Sequence, residues 1–240
     1  MLTRERQSLI ENTAQAKVWD LPVRVFHWTL VVSVLGAYIT NRLGVPYFKL
    51  HVFFGCAVLV AVAFRILWGI MGTEHSLFRS FVRSPAETLR YSLALLGGKH
   101  RTYAGHNPLG ALMVMALLAG LGAQAAAGLF SNDEIFNTGP LSGYVSANLS
   151  LLLTSLHRRL FYGIAAAAAF HVLAVLFHSI VFRERLIQAM FTGRKALTDP
   201  AALTRGEAPR TWLAVVLCLA LSLILAAIVI YGPAPVDESI

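Results

Sequence analysis

Charged side chains are scarce in this chain. They make up 13% of its 240 residues, while 57% are hydrophobic. A soluble domain usually carries about 25% charge, so an ordinary soluble fold is excluded. Cysteine is almost missing: Cys56 and Cys218 stand far apart, each inside an apolar run. That removes a disulfide framework and a structural zinc site from consideration, and no C-x-x-C-H is present for covalent haem attachment. No internal repeat and no low-complexity tract appears. A small-residue cleavage site is also missing after the first apolar run, and Met1 to Lys17 is polar. The first run is therefore expected to be retained.

What remains is long apolar blocks, at roughly 22–40, 50–71, 108–130, 157–181 and 211–231. Each approaches or exceeds the ~20 residues that cross ~30 Å of hydrocarbon. Helices satisfy every backbone group internally, so the reading is an all-α integral membrane protein with five spans. The fifth run has no Asp, Glu, Lys, Arg or His and reads as an anchor or packing helix.

The net charge of +8 has a topological explanation. With the N-terminus in the cytoplasm, 16 of the 20 Lys and Arg fall on the cytoplasmic side; only Arg42, Lys49, Arg158 and Arg159 fall outside. This bias predicts N-in, C-out. Attraction to anionic lipid accounts for the basicity, and no nucleic-acid partner is required. In the long cytoplasmic loop 72–107, Ser84-Pro85-Ala86-Glu87 reads as the start of an amphipathic interfacial helix ending at Gly97-Gly98. Asn107-Pro108 opens the third span. The stretch Ser142 to Ser155 reads as a short external surface helix, and 193–210 as a polar linker.

Eight histidines carry the functional signal. His75, His100 and His106 fall in the cytoplasmic loop and read as solvated or headgroup-level side chains. His27, His51, His157, His171 and His178 lie in or at the ends of spans, where ionisable groups are costly and functional by default. The topology puts His27 towards the cytoplasm and His51 towards the outside. His157 opens the fourth span externally, and His171 follows 14 residues deeper. That is a rise of ~21 Å and close to four full turns, so both imidazoles leave one face at different depths. Such a gap cannot share one ion, which wants ligands at i, i+3 or i, i+4. It suits two stacked haems, His27 pairing with His171 and His51 with His157.

Arg65 interrupts an apolar run 14 residues after His51 and could pair a haem propionate near the cytoplasmic level; the alternative is a snorkelling arginine. Arg158 and Arg159 could do the same externally. Gly36, Gly55, Gly163 and Ala165 to Ala169 would leave room for a macrocycle, or would serve close helix packing. His178, two turns beyond His171, could bond a propionate or a quinone head, or be an ordinary interfacial histidine.

The segments "WDLPVRVFHW", "HVFFGCAVLVAVAFRILWG", "GHNPLGALMVMALL" and "LHRRLFYGIAAAAAFHVLAVLFHSIVFRE" resemble the bacterial cytochrome b561 and Ni,Fe-hydrogenase b-type cytochrome superfamily over roughly Val18 to Lys195. The resemblance implies a four-helix dihaem core over 1–195, followed by a linker and fifth helix over 196–240. It implies two noncovalent b haems with axial ligands at His27, His51, His157 and His171. It also implies electron transfer in a bacterial inner membrane between the quinone pool and a redox partner such as a hydrogenase, another reductase or a c-type cytochrome. A homo-oligomer is compatible with it. The alternative on the same scaffold is a stand-alone superoxide:quinone oxidoreductase, with Lys49, Arg158 and Arg159 as a weak external basic cluster. A haem-free ion transporter is disfavoured by the histidine spacing. Reporter fusions test the orientation: a reporter active only outside the cytoplasm should work after residue 231 and fail in the 72–107 loop.

Overall fold

The computed structural model describes residues 14–99, 102–197 and 210–233. His100 and most of the expected linker lie outside the described residues. Strand β1, Ala14–Lys17, is followed by helix α1, Leu21–Arg42, and helix α2, Phe48–Met71. A short helix α3, Phe78–Phe81, precedes α4, Pro85–Leu96. Then come α5, Pro108–Leu129, the long α6, Ala147–Val181, and α7, Leu186–Thr192. Strand β2, Arg194–Leu197, and helix α8, Thr211–Ile230, complete the described chain. Helices α1, α2, α5, α6 and α8 are long and apolar enough to cross a membrane.

Helix starts follow the local chemistry. Asp20 Oδ1 accepts from the Val23 amide at 2.8 Å, capping α1 with Pro22 in its first turn. Asn107 Oδ1 accepts from Gly110 N at 2.7 Å before α5. Ser84 and Glu87 form the full reciprocal capping box that opens α4. These caps satisfy amides that have no partner inside the helix.

Two features differ from the sequence reading. The stretch 142–155, expected as a short surface helix, is not a separate helix. A single 3-10 turn at Ser142–Tyr144 leads into α6, which starts at Ala147 and runs 35 residues without a break. Nothing between Ala147 and His157 breaks a helix, so the surface segment and the span fuse. A small sheet is also present. β1 pairs antiparallel with β2, Ala14 opposite Leu197 and Lys17 opposite Arg194. Four-residue strands far apart in sequence leave no periodic signal to find.

The chain divides into two compact units. The first comprises Met1–Arg24, Trp68–Met115 and Ala169–Arg210. Its hub is Asp20, only 4% exposed. The same carboxylate that caps α1 accepts from Trp68 Nε1 at 3.0 Å and from Thr73 Oγ1 at 2.6 Å. Trp68, 1% exposed, is thereby held by its one polar atom. Nearby, His106 sits between Trp19 and Phe81, both ring centroids 4.7 Å away. It is a packed aromatic neighbour, against the solvated reading; its loop folds back onto Trp19. Arg24 donates to the Phe191 carbonyl, tying α1 to α7.

The second unit comprises Val25–Leu67, Ala116–Ala168 and Thr211–Ile240. Its helices approach at small residues. A Cβ on Gly36 would lie 2.6 Å from the Phe54 ring, so Gly36 makes room for Phe54 and not for a macrocycle. Gly122 and Gly120 likewise face Val62 and Ile164. Close backbone approach of this kind is how apolar helices gain contact without a hydrophobic drive between them. The 131–138 loop is pinned to α6 by Asn132 N donating to Thr154 Oγ1 at 2.9 Å and by Ser150 donating to the Phe130 carbonyl at 2.7 Å.

Asp20→Ala removes a cap and the acceptor shared by the buried Trp68 indole and the half-buried Thr73 hydroxyl. It should cost about 2–4 kcal/mol, read as a lowered unfolding temperature of the purified protein, with Asp20→Asn intermediate. Partial burial would raise the Asp133 carboxyl, but donors from Asn137, Phe136 and Ile135 hold it down at about 2. Its support of the loop should be complete above about pH 4 and be lost as pH falls through about 2, monitored by proteolysis at the 133–138 turn.

Candidate functional site

The second unit brings together two of the candidate histidines. His51 lies in the first turn of α2 and His157 a third of the way along α6; both are half-buried. Their ring centroids are 6.1 Å apart, with planes at 90°. His51 Nδ1 lies 2.8 Å from the Ala37 carbonyl oxygen on α1. His157 Nδ1 lies 2.8 Å from the Gln124 carbonyl oxygen on α5. A carbonyl only accepts, so each Nδ1 carries the proton and donates. The lone pair of each ring is thereby placed on Nε2.

This arrangement can be tested against an iron between the rings. A metal–imidazole bond is about 2 Å and the ring centre lies about 1 Å beyond the nitrogen, so two opposed ligands stand about 6 Å apart, centre to centre. The observed 6.1 Å fits. The tethers on the far nitrogens are the orienting contacts that ligating histidines require. Open space is present as well: a Cβ at Gly55, one turn beyond His51, would meet nothing within 4 Å. One group intrudes. Gln124 Nε2 is 3.4 Å from His157 Nε2, so this amide must turn aside for a metal to reach the nitrogen. Its Oε1 is buried and has no hydrogen-bond partner among the described residues.

The other candidates are placed as follows. His27 is half-buried on α1 in the second unit, with the Trp28 ring edge-on at 5.1 Å. His171 is half-buried on α6 in the first unit. Arg65 is 2% exposed within α2, which removes the snorkelling alternative: the guanidinium is a buried cation of the second unit. Arg158 and Arg159 are exposed on α6. His178 is buried, with Nδ1 3.7 Å from Glu184 Oε1. Among the described residues no three or more His, Cys, Asp or Glu side chains gather as a metal-ion cluster.

The sequence reading missed Gln124 and Gly128. Gln124 is the only amide in the apolar run Pro108–Leu129, and that was the available signal. Gly128 lies against His157: a Cβ there would stand 2.8 Å from the ring's Cε1. Nothing in the sequence tells which helix face Gly128 occupies.

Five helices long and apolar enough to cross a membrane put the chain in the class of helical membrane proteins. Residues 18–193 match the family described as prokaryotic cytochrome b561, and the chain belongs to that family. It is 25% identical over 236 residues to a probable Ni/Fe-hydrogenase B-type cytochrome subunit of Rhodobacter capsulatus. That alignment covers 82% of this chain and 87% of the relative. No solved structure matches. The protein is thus a multi-pass b-type cytochrome, and haem b is its cofactor class.

Gly128→Val would drive carbon into the His157 ring. Overpacking at that contact should reduce bound haem by about twofold, measured as the pyridine haemochrome of purified protein. Gly105→Ala, which meets open space, is the control and should leave haem content unchanged.

Proposed function

We propose that the protein is a dihaem electron carrier that moves electrons through the bilayer. His51 and His157 would hold the external haem, and His27 and His171 the cytoplasmic one. The observation that carries this reading is the tethered pair. Both rings donate from Nδ1 to backbone carbonyls and stand 6.1 Å apart, which leaves the lone pair of each on Nε2, with the Gln124 amide against that of His157. Bound haem b supplies a one-electron centre, and two imidazoles leave its iron no open position, which favours electron transfer over oxygen binding.

The chain's own residues do the rest. The Ala37 and Gln124 carbonyls keep each imidazole in one tautomer and one orientation, so neither ligand has to reorganise when the charge on its metal changes. Arg65 contributes a buried positive charge suited to a propionate carboxylate. Arg158 and Arg159, exposed beside His157, would do so from the external side.

A quinone at one end and a redox protein at the other are the proposed exchange partners. The hydrogenase association in the name of the Rhodobacter relative supports a hydrogenase in the second role. The proposed setting is a bacterial inner membrane, N-terminus inside and C-terminus outside, from the Lys and Arg distribution.

Purified protein should carry about two b haems with sharp low-spin bands. His51→Ala and His157→Ala should each remove one and the same haem, and His27→Ala and His171→Ala should each remove its companion. A common loss in His27→Ala and His51→Ala, or a single haem in the native protein, would overturn the pairing.

A further inference from the structure

A second polar centre lies in the first unit, and the electron path above does not use it. Helix α6 ends at Val181, and Arg183 then takes φ 55, a left-handed conformation that side chains with a Cβ disfavour. This turn brings the chain back under the helix end. Glu184 N donates to the His178 carbonyl at 3.3 Å. The Glu184 carboxylate then lies 3.7 Å from His178 Nδ1 and 2.8 Å from Lys195 Nζ. Lys195, on β2, also donates to the Tyr103 carbonyl at 2.9 Å. His178 is 8% and Lys195 7% exposed, and the Glu184 side chain 11%.

Tyr91 of α4 completes the surroundings. It packs edge-on against Tyr103 at 5.6 Å. Its phenol is pushed up to about 12 by burial, by Tyr103 and by Glu184, so it stays protonated. Its hydroxyl is buried with no hydrogen-bond partner among the described residues. Among the described residues, Lys195 from β2 pairs with Glu184, Tyr91 from α4 lies within reach of its charge, and Tyr103 from the loop before α5 packs on Tyr91 and accepts from Lys195 through its carbonyl. Arg183 and Arg185, next in sequence, are exposed.

Three buried ionisable groups and a strained turn are costly to maintain, and features of this kind concentrate at functional sites. Packing alone would not call for a histidine beside a lysine–glutamate pair. The position supplies a use. His178 follows His171 by seven residues, which is about 10 Å along α6 and nearly two full turns. The cluster therefore stands on the His171 face, close enough for a charge at the His171 level to be felt through a weakly screening interior.

We propose that the His178–Glu184–Lys195 cluster is a redox-linked proton-binding site. It takes one proton from water at this end of α6 when the cofactor at the His171 level gains an electron, and it returns the proton on oxidation. The proton bonds to the His178 ring. The Glu184 carboxylate, already held by Lys195, faces the added charge at 3.7 Å. One electron and one proton enter together, and the local net charge is unchanged. The coupling is reciprocal, so the potential of that haem depends on pH. The inference rests on the reading of His171 as a haem ligand.

Redox titration of the full-length, haem-loaded protein between about pH 6 and 9, followed in the visible bands, tests it. The midpoint of one haem should fall as pH rises. A tenfold difference in proton affinity between the two oxidation states corresponds to about 59 mV. Glu184→Gln and His178→Gln should each flatten that slope while haem content and low-spin bands stay as in the native protein. His51→Ala should leave the slope in place on the remaining haem. Midpoints independent of pH in the native protein would sink the proposal and leave the haem assignment standing, as would native slopes in both variants. If both variants lose haem, proton uptake by the native protein on reduction, read with an indicator dye, decides; no uptake overturns the site. If His171→Ala leaves haem content unchanged, the ligand reading itself has failed.

Discussion

A polar atom among apolar helices has no water to turn to, so it must find a partner in the protein. This constraint organises the whole structure. In the second unit it is met by the Nδ1 atoms of His51 and His157, each bonded to a carbonyl that already belongs to a helix. In the first unit it is met by Asp20, which collects a helix N-terminus, an indole and a hydroxyl on one carboxylate. In each place satisfying one polar group fixes the position of another. A histidine that must donate from Nδ1 can only coordinate through Nε2. A tryptophan that must donate to Asp20 holds the end of α2 against the start of α1.

The tethering carbonyls come from other helices than the two histidines. Ala37 lies on α1 and Gln124 on α5, while His51 and His157 lie on α2 and α6. All four helices are thus committed to one small volume, and this explains why the glycines lie where they do. Gly36 admits Phe54, and Gly128 admits the His157 ring. Helix α5 is not a spacer: its Gln124 carbonyl orients the His157 ring at Nδ1, and the one amide of its apolar run approaches the other ring nitrogen, Nε2.

The reasons for buried charge differ between the two units. Arg65 is a single cation within an apolar run, and the use proposed for its charge is a cofactor carboxylate. Glu184 and Lys195 pair with each other directly. The histidine beside them packs against Phe182 and faces Glu184, and it stands on the same helical face as His171. A membrane cytochrome moves charge through a medium that screens poorly. A site that lets a proton accompany the electron lowers the cost of that movement.

The five long apolar helices and the candidate histidines could be read without coordinates, because each depends on composition and one-dimensional spacing. Twenty apolar residues cross a bilayer whatever surrounds them, and a 14-residue interval puts His157 and His171 on one face of any helix. The Ser84 capping box was equally local. Contacts between distant segments could not be read this way. The β1–β2 pairing, His106 between Trp19 and Phe81, the turn that sets Glu184 against His178, and the Gln124 carbonyl behind His157 all join residues far apart in sequence or rest on a backbone turn without a pattern. Local sequence determined which segments are long apolar helices and where the histidines fall along them. Only tertiary packing decided which nitrogen of each ring is presented, which cation is buried, and which acid meets which base.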